Sequence, residues 1–390
     1  MIEASAKGAA VVKPRYGMVG GGPGAFIGDV HRRALGLDGK AVLAAGCFST
    51  DYGNTLATGR ELGLDQGRLY KTYEEMAEAE SAREDGIDFA VIVTPNHVHY
   101  GAAKAFLNRG IHVVCDKPLT FEVHEARDLA ETAEAGNLLF GVTYTYTGYP
   151  MARQAREMIR NGDLGAVRFV NAEYPQDWLA TRLEETGQKQ AEWRNDPART
   201  GKSNCVGDIG SHIENMVSFM TGLRIKKLCA RLDTFVEGRP LDDNATIMVE
   251  YEGGAKGLYW SSQIAVGHDN GLRVRIYGEK GGLEFAQENP NYLRVSHLDR
   301  PTEIISRGRD GLYPEAEKFS RLPSGHPEGY FEAFANIYSA FVEALIKVKG
   351  GAEAAGCGQD FPGVRAGLEG VRFIGKCVES SAKGAVWVDF

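Results

Sequence analysis

The chain has 390 residues, more than one hydrophobic core comfortably serves, so two domains are expected. Its net charge of −8, with no cluster of basic residues, argues against a nucleic-acid surface or an anionic membrane as partner, and no apolar stretch approaches a membrane span. The six cysteines (Cys47, Cys115, Cys205, Cys229, Cys357, Cys377) contain no C-x-x-C pair and the first fifteen residues lack an apolar leader, so a reduced, cytoplasmic protein without a zinc site or disulfide framework is expected.

After a tail over residues 1–14, an apolar strand runs into Gly20-Gly21-Gly22-Pro23-Gly24-Ala25-Phe26-Ile27-Gly28. Glycine there allows a tight turn and lets backbone amides and a helix N-terminus approach a dinucleotide pyrophosphate. Gly20, Gly22 and Ala25 fit the G-x-G-x-x-G/A spacing, and Gly28 is the third small position if the loop is longer. A helix over 31–37 and a strand over 41–47 complete a βαβ pattern. Beyond this second strand, Ser49 and Asp51 occupy the place of the groups that take the adenosine ribose; no arginine is adjacent and Asp51 repels a 2′-phosphate, which favours NAD over NADP.

Short apolar runs at 89–93, 111–115 and 138–142 read as further buried parallel strands, closing a doubly wound half at about residue 147. From residue 148 onward a helix over 151–160 gives way to longer alternating segments at 167–174, 245–251, 257–264 and 272–277, joined by glycine-containing hairpin turns. These predict a large, mostly antiparallel open sheet in a second, α+β domain. Residues 300–327, rich in charge and proline, read as one long irregular region of the kind that forms lids or partner-contacting arms.

Three motifs carry chemistry. Thr94-Pro95-Asn96-His97-Val98-His99 and Cys115-Asp116-Lys117-Pro118 each follow a strand, at the carboxyl edge where such sheets bind ligands. Gly207-Asp208-Ile209-Gly210-Ser211-His212 opens a helix and sets Asp208 and His212 on one face. Oxidising a secondary alcohol needs a base for the hydroxyl proton and a cation for the developing alkoxide; histidine serves as base near neutral pH and lysine as the cation. Each residue alone has a structural explanation: Asp208 as a helix cap, Lys117 paired with Asp116 or Asp88, His212 as a core histidine. The H-x-H of His97 and His99 lacks a third metal ligand nearby, so no metal is expected.

Together with the glycine loop, these motifs resemble the glucose-fructose oxidoreductase / inositol dehydrogenase / rhizopine-catabolism (Gfo/Idh/MocA) family from Arg15 onward. The resemblance implies an N-terminal Rossmann domain over residues 15–147 and a substrate-binding, oligomerising domain over 148–390. It implies Lys117, Asp208 and His212 as the catalytic group, with Asp116 where the family more often has glutamate. It also implies cofactor contacts from Gly20, Gly21, Gly22, Gly24, Phe26, Ile27, Ser49, Asp51, Thr94, Asn96, His99, Asp116, Lys117, Trp193 and Arg194. Tyr146, Trp178, Asp208, His212 and His326 are the expected substrate contacts, the aromatic faces suiting sugar C–H surfaces.

The expected protein is an NAD-dependent dehydrogenase of a pyranose sugar, glycoside or cyclic polyol, acting as a homo-oligomer, dimer or tetramer. A redox-neutral NAD-dependent glycosidase, such as a sulfoquinovosidase, uses the same residues, and a non-catalytic NAD-binding regulator is a third alternative.

Overall fold

The computed structural model describes residues 13–390, so the expected tail lies outside the described residues except for its last two positions. The first half alternates strands and helices: β1 (Arg15–Gly20), α1 (Phe26–Leu37), β2 (Val42–Cys47), α2 (Tyr52–Glu61), α3 (Tyr73–Ser81), β3 (Phe89–Val93), α4 (Asn96–Leu107), β4 (His112–Cys115), α5 (Val123–Ala135) and β5 (Phe140–Val142). The strands form a five-stranded sheet ordered β2-β1-β3-β4-β5, with every pairing parallel. Every residue of β3 and β4 is buried, as their unbroken apolar runs require of strands covered on both faces.

The second half continues with α6 (Pro150–Arg160), β6 (Val167–Pro175), two short helices α7 (Lys189–Arg194) and α8 (Pro197–Thr200), and α9 (Ser211–Thr221). Then come β7 (Ile225–Asp233), β8 (Asn244–Tyr251), β9 (Lys256–Ser262), β10 (Arg273–Gly278), β11 (Gly281–Ala286), β12 (Tyr292–His297) and β13 (Glu303–Ser306). The chain closes with α10 (Pro314–Glu317), α11 (Tyr330–Lys349), α12 (Val364–Ala382) and β14 (Val388–Asp389). These nine strands form one open sheet, β13-β12-β11-β10-β6-β9-β8-β7-β14, antiparallel throughout except for the β6–β9 pair. Its inner face packs on α6, α9 and the second half of α12 through Met151, Ile213, Met216, Phe373 and Cys377.

Helix α11 buries Phe334, Ile337, Tyr338, Phe341 and Leu345 against Tyr16, Met18, Phe89 and Val91 on one face of the parallel sheet. Alternation within β3 sends Ala90 and Ile92 to the opposite face, where α4, α5 and the start of α12 cover them. Late sequence therefore completes the early sheet.

The expected irregular stretch 300–327 contains the edge strand β13 and the short helix α10. It is fastened by Arg307, whose buried guanidinium donates to Asn291, Leu322 O and the Glu328 carboxylate at 2.6–2.8 Å. Separating Arg307 from Glu328 while either stays buried would leave a charge unpaired, so this anchor favours the fastened arrangement.

Phe341 is fully buried, with ring centroids 5.2 Å from Phe89 and 5.3 Å from Phe361. Phe341→Ala is expected to lower unfolding stability by about 3–5 kcal/mol in denaturant titration; an unchanged midpoint would contradict the assignment of α11 to the N-terminal core.

Candidate functional site

A cleft of about 1790 Å³ lies between the two sheets, at the carboxyl ends of β1, β3 and β4. Its first wall is the glycine loop. Gly20, Gly21 and Gly24 adopt left-handed backbone angles, and a Cβ on Gly22 would meet the Phe48 carbonyl oxygen at 2.8 Å. Ala25 is the residue before α1, and Gly28 lies within the helix, where a Cβ would sit 2.4 Å from the Gly21 Cα. Both spacings thus have a meaning: Gly20-x-Gly22-x-x-Ala25 shapes the turn, and Gly28 gives the close helix–loop packing. Arg32 fastens the loop by donating to Gly21 O at 3.0 Å. The cradle fits a pyrophosphate: it has helix α1 at its edge and no room for side chains at the points of closest approach.

Phe26, Ile27, Ser49, Thr94, Asn96, Asp116 and Lys117 line the same cleft, with Trp193 and Arg194 reaching it from α7. Two expected cofactor residues make structural hydrogen bonds. The exposed Asp51 carboxylate accepts from Gly53 N at 2.8 Å and caps α2, between Thr50 and Asn54, which line the cleft together with Ser49. His99 is fully buried behind the wall, with its ring nitrogens 2.9 Å from the Pro118 and Thr94 carbonyl oxygens. It ties the two strand-end loops together and does not face the cleft.

At the far end the chain makes one turn of π-helix, Val206–Gly210, before α9. Asp208 lies inside this turn and not at a cap, correcting the capping alternative. Wide turns of this kind recur at functional sites because they re-aim a side chain without ending the helix. The Asp208 carboxylate accepts from Lys117 Nζ at 3.0 Å, from Arg194 Nε at 3.0 Å and from Gln263 Nε2 at 3.1 Å. Lys117 also donates to Asp208 O at 2.5 Å. Burial would push this carboxyl up, but Arg194 and Lys117 outweigh it and hold the group well below its usual range.

His212 is buried beneath this cluster, its ring centroid 4.7 Å from Tyr146 and 5.7 Å from Tyr144. Burial, then the Lys117 charge, hold its pKa well below 6.5, so the imidazole is neutral at physiological pH.

Sequence reasoning identified Tyr146 and Trp178 on the substrate wall, and both line the cleft. It missed a connected group of neutral polar side chains. Tyr174 Oη donates to Asn270 Oδ1 at 2.6 Å, Gln176 Nε2 donates to the same oxygen at 2.7 Å, and the Tyr146 and Tyr174 hydroxyls are 2.5 Å apart. Asn270 Nδ2 donates in turn to Gln287 Oε1 at 3.3 Å. The signals were position and resemblance: Tyr174 ends a predicted strand, Gln176 opens the Gln176-Asp177-Trp178 segment that resembles those of glycoside-acting family members, and Asn270 sits in the polar turn before another strand. The expected contact His326 is exposed and does not line the cleft; from that segment Tyr330 does. The buried Arg307–Glu328 pair fixes the turn carrying His326.

The chain belongs to the Gfo/Idh/MocA family. Residues 14–144 match its oxidoreductase NAD-binding Rossmann fold, and residues 152–284 match its C-terminal domain. An uncharacterised oxidoreductase, YfiI of Bacillus subtilis, is 38% identical over 97% of this chain and 98% of its own. An inositol dehydrogenase homologue from Azotobacter vinelandii, solved with NAD+, is 39% identical with a TM-score of 0.94 over 100% of both chains. Its structure with NADH and myo-inositol is 40% identical, with a TM-score of 0.91, over 97% of this chain and 98% of that one. The protein is accordingly an oxidoreductase-family member with an NAD-binding Rossmann domain. No helix among the described residues is long and apolar enough to cross a membrane.

The lowered pKa of His212 has a signed consequence. A base with a depressed pKa stays deprotonated as pH falls past 6.5, so kcat/KM should show no His212 inflection there. His212→Asn is expected to lower the rate roughly 10²- to 10⁴-fold without removing an inflection near neutrality. A wild-type inflection at that pH, abolished in His212→Asn, would contradict the buried, neutral imidazole.

Proposed function

We propose that the protein is an NAD-dependent dehydrogenase that oxidises a ring hydroxyl of an uncharged cyclic polyol, pyranose sugar or glycoside. The observation that carries this reading is the conjunction of Lys117, Asp208 and a neutral His212 at the inner end of a glycine-loop cleft. His212 accepts the hydroxyl proton, and Lys117 donates a hydrogen bond to the same oxygen as negative charge develops on it. Asp208 keeps Lys117 in place. When bound, NAD+ supplies the hydride acceptor, its pyrophosphate held by Gly20–Ala25 and the α1 N-terminus. Thr94, Asn96, Asp116, Trp193 and Arg194 line the same cleft and would flank the bound dinucleotide.

Neutrality of the substrate is supported by the wall itself. Lys117 and Arg194 share one carboxylate, while Tyr146, Tyr174, Gln176, Asn270 and Gln287 offer phenol and amide groups suited to hydroxyls. The myo-inositol in the Azotobacter homologue's structure is a ligand of this chemistry. A homo-oligomer is supported by the outer face of the large sheet, which exposes Phe169, Met248 and Tyr277. Residues 148–390 would then provide both the substrate wall and that interface. A cytoplasmic setting is supported by six free, buried cysteines among the described residues.

Purified protein, excess NAD+ and neutral cyclic polyols or chromogenic pyranosides should give NADH in equal amount to ketone. Sugar phosphates and sulfonates should be poor substrates. Aglycone release with substoichiometric NADH would instead establish the redox-neutral glycosidase. Lys117→Met should abolish turnover and leave NAD+ affinity within a few-fold; a fully active variant would remove Lys117 from the mechanism.

A further inference from the structure

Behind the cleft lies a buried chain of polar groups that the proposed reaction does not use. His31, in the second turn of α1, has no exposed surface, and its Nδ1 is 2.5 Å from the Tyr338 hydroxyl of α11. Its Nε2 lies 3.1 Å from Asp116 Oδ1, the same oxygen that accepts from the Thr143 hydroxyl. Asp116 Oδ2 has no partner among the described residues, and Asp116 lines the cleft beside Lys117. The Thr143 hydrogen bond and the close approach of His31 Nε2, which has no other hydrogen-bond partner among the described residues, therefore fall on one carboxylate oxygen and leave the other available.

A carboxylate on a single χ1–χ2 arm has several rotamers, and an unsupported one beside a lysine would turn toward the ammonium. Here Lys117 is bonded to Asp208, and Asp116 is held by the Thr143 hydroxyl with His31 Nε2 packed 3.1 Å from the same oxygen. His31 is itself fixed: Tyr338 holds one nitrogen and the Phe334 ring lies 4.9 Å away. Helix α1 thus presents its N-terminus to the pyrophosphate loop and its second turn to the strand end that carries Lys117.

We propose that His31 and Tyr338 are positioning residues for the dinucleotide: acting through Asp116, they hold one carboxylate oxygen toward the cleft as a fixed acceptor for a hydroxyl or amide donor of the bound cofactor. The proposal rests on the NAD-dependent reading of the cleft but not on the identity of the substrate. It makes α1 responsible for both ends of the cofactor, and it makes α11, a late segment, part of cofactor recognition.

The test is calorimetric titration of NAD+ into the full chain without substrate, for His31→Leu, His31→Gln and Tyr338→Phe. Each variant is measured alone and combined with Asp116→Asn. His31→Leu should weaken NAD+ binding about tenfold, Gln should restore most of the loss by donating to Asp116, and Tyr338→Phe should cost about two- to threefold. In the Asp116→Asn background His31→Leu should cost less than about twofold, because its effect runs through that carboxylate. Wild-type affinity in His31→Leu, or an equal loss in both backgrounds, would overturn the proposal. If His31→Leu does not fold, Tyr338→Phe and Thr143→Val carry the same comparison. No substrate is oxidised in this measurement, so a wrong substrate class leaves its result intact.

Discussion

The carboxylate of Asp208 joins elements that are distant in sequence: Lys117 from the end of β4, Arg194 from α7 and Gln263 just beyond β9 all donate to it. The half-buried Asp208 carboxylate is what lets two cations sit side by side. Removing the anion would leave two cations facing each other, which is why such pairs resist loss of one member far more than loss of both. The arrangement also sets the proton chemistry nearby. Burial lowers the pKa of His212, the Lys117 charge adds to the lowering and Asp208 partly offsets it, so the direction favours an uncharged imidazole.

Around this point the two sheets take different work. The parallel sheet brings strand ends to one edge, where its loops meet the cofactor; the open sheet supplies a wall of phenols and amides at the other side. Cooperation between them is built into the core. Helix α11 packs on the parallel sheet, while α12 touches the early core with Leu368 and the late one with Phe373. The first half is not completed by its own contiguous residues; the second is.

Much of this was legible in the sequence, for physical reasons that can be named. Buried parallel strands such as β3 must be apolar along their whole length, and the loop from Gly20 to Gly28 must lack side chains where the backbone comes close. Lys117, Asp208 and His212 stood out through the resemblance of their joined motifs to the family's, since each alone has a structural explanation. Asp51 and His99 carry structural roles that the sequence did not show: a short polar side chain after a strand caps a helix as readily as it binds a ribose, and a histidine beside a turn binds carbonyls as readily as a ligand. His326 and the 300–327 region misled because a charged loop gives no sign that one arginine buries itself in it. The Asn270 network and the His31–Asp116 contact were invisible, since they depend on which elements meet and not on local pattern.

The claim on which the account turns is that hydride leaves a ring carbon of a neutral polyol and stays on the cofactor. A cyclic polyol or pyranoside deuterated at the reacting carbon, incubated with the protein and excess NAD+, tests it most directly by NMR of the recovered nicotinamide and sugar. The account predicts one deuterium in the reduced nicotinamide for each ketone formed, with a primary isotope effect on kcat/KM. Deuterium found back on a hydrolysed sugar, or never leaving carbon, would contradict it.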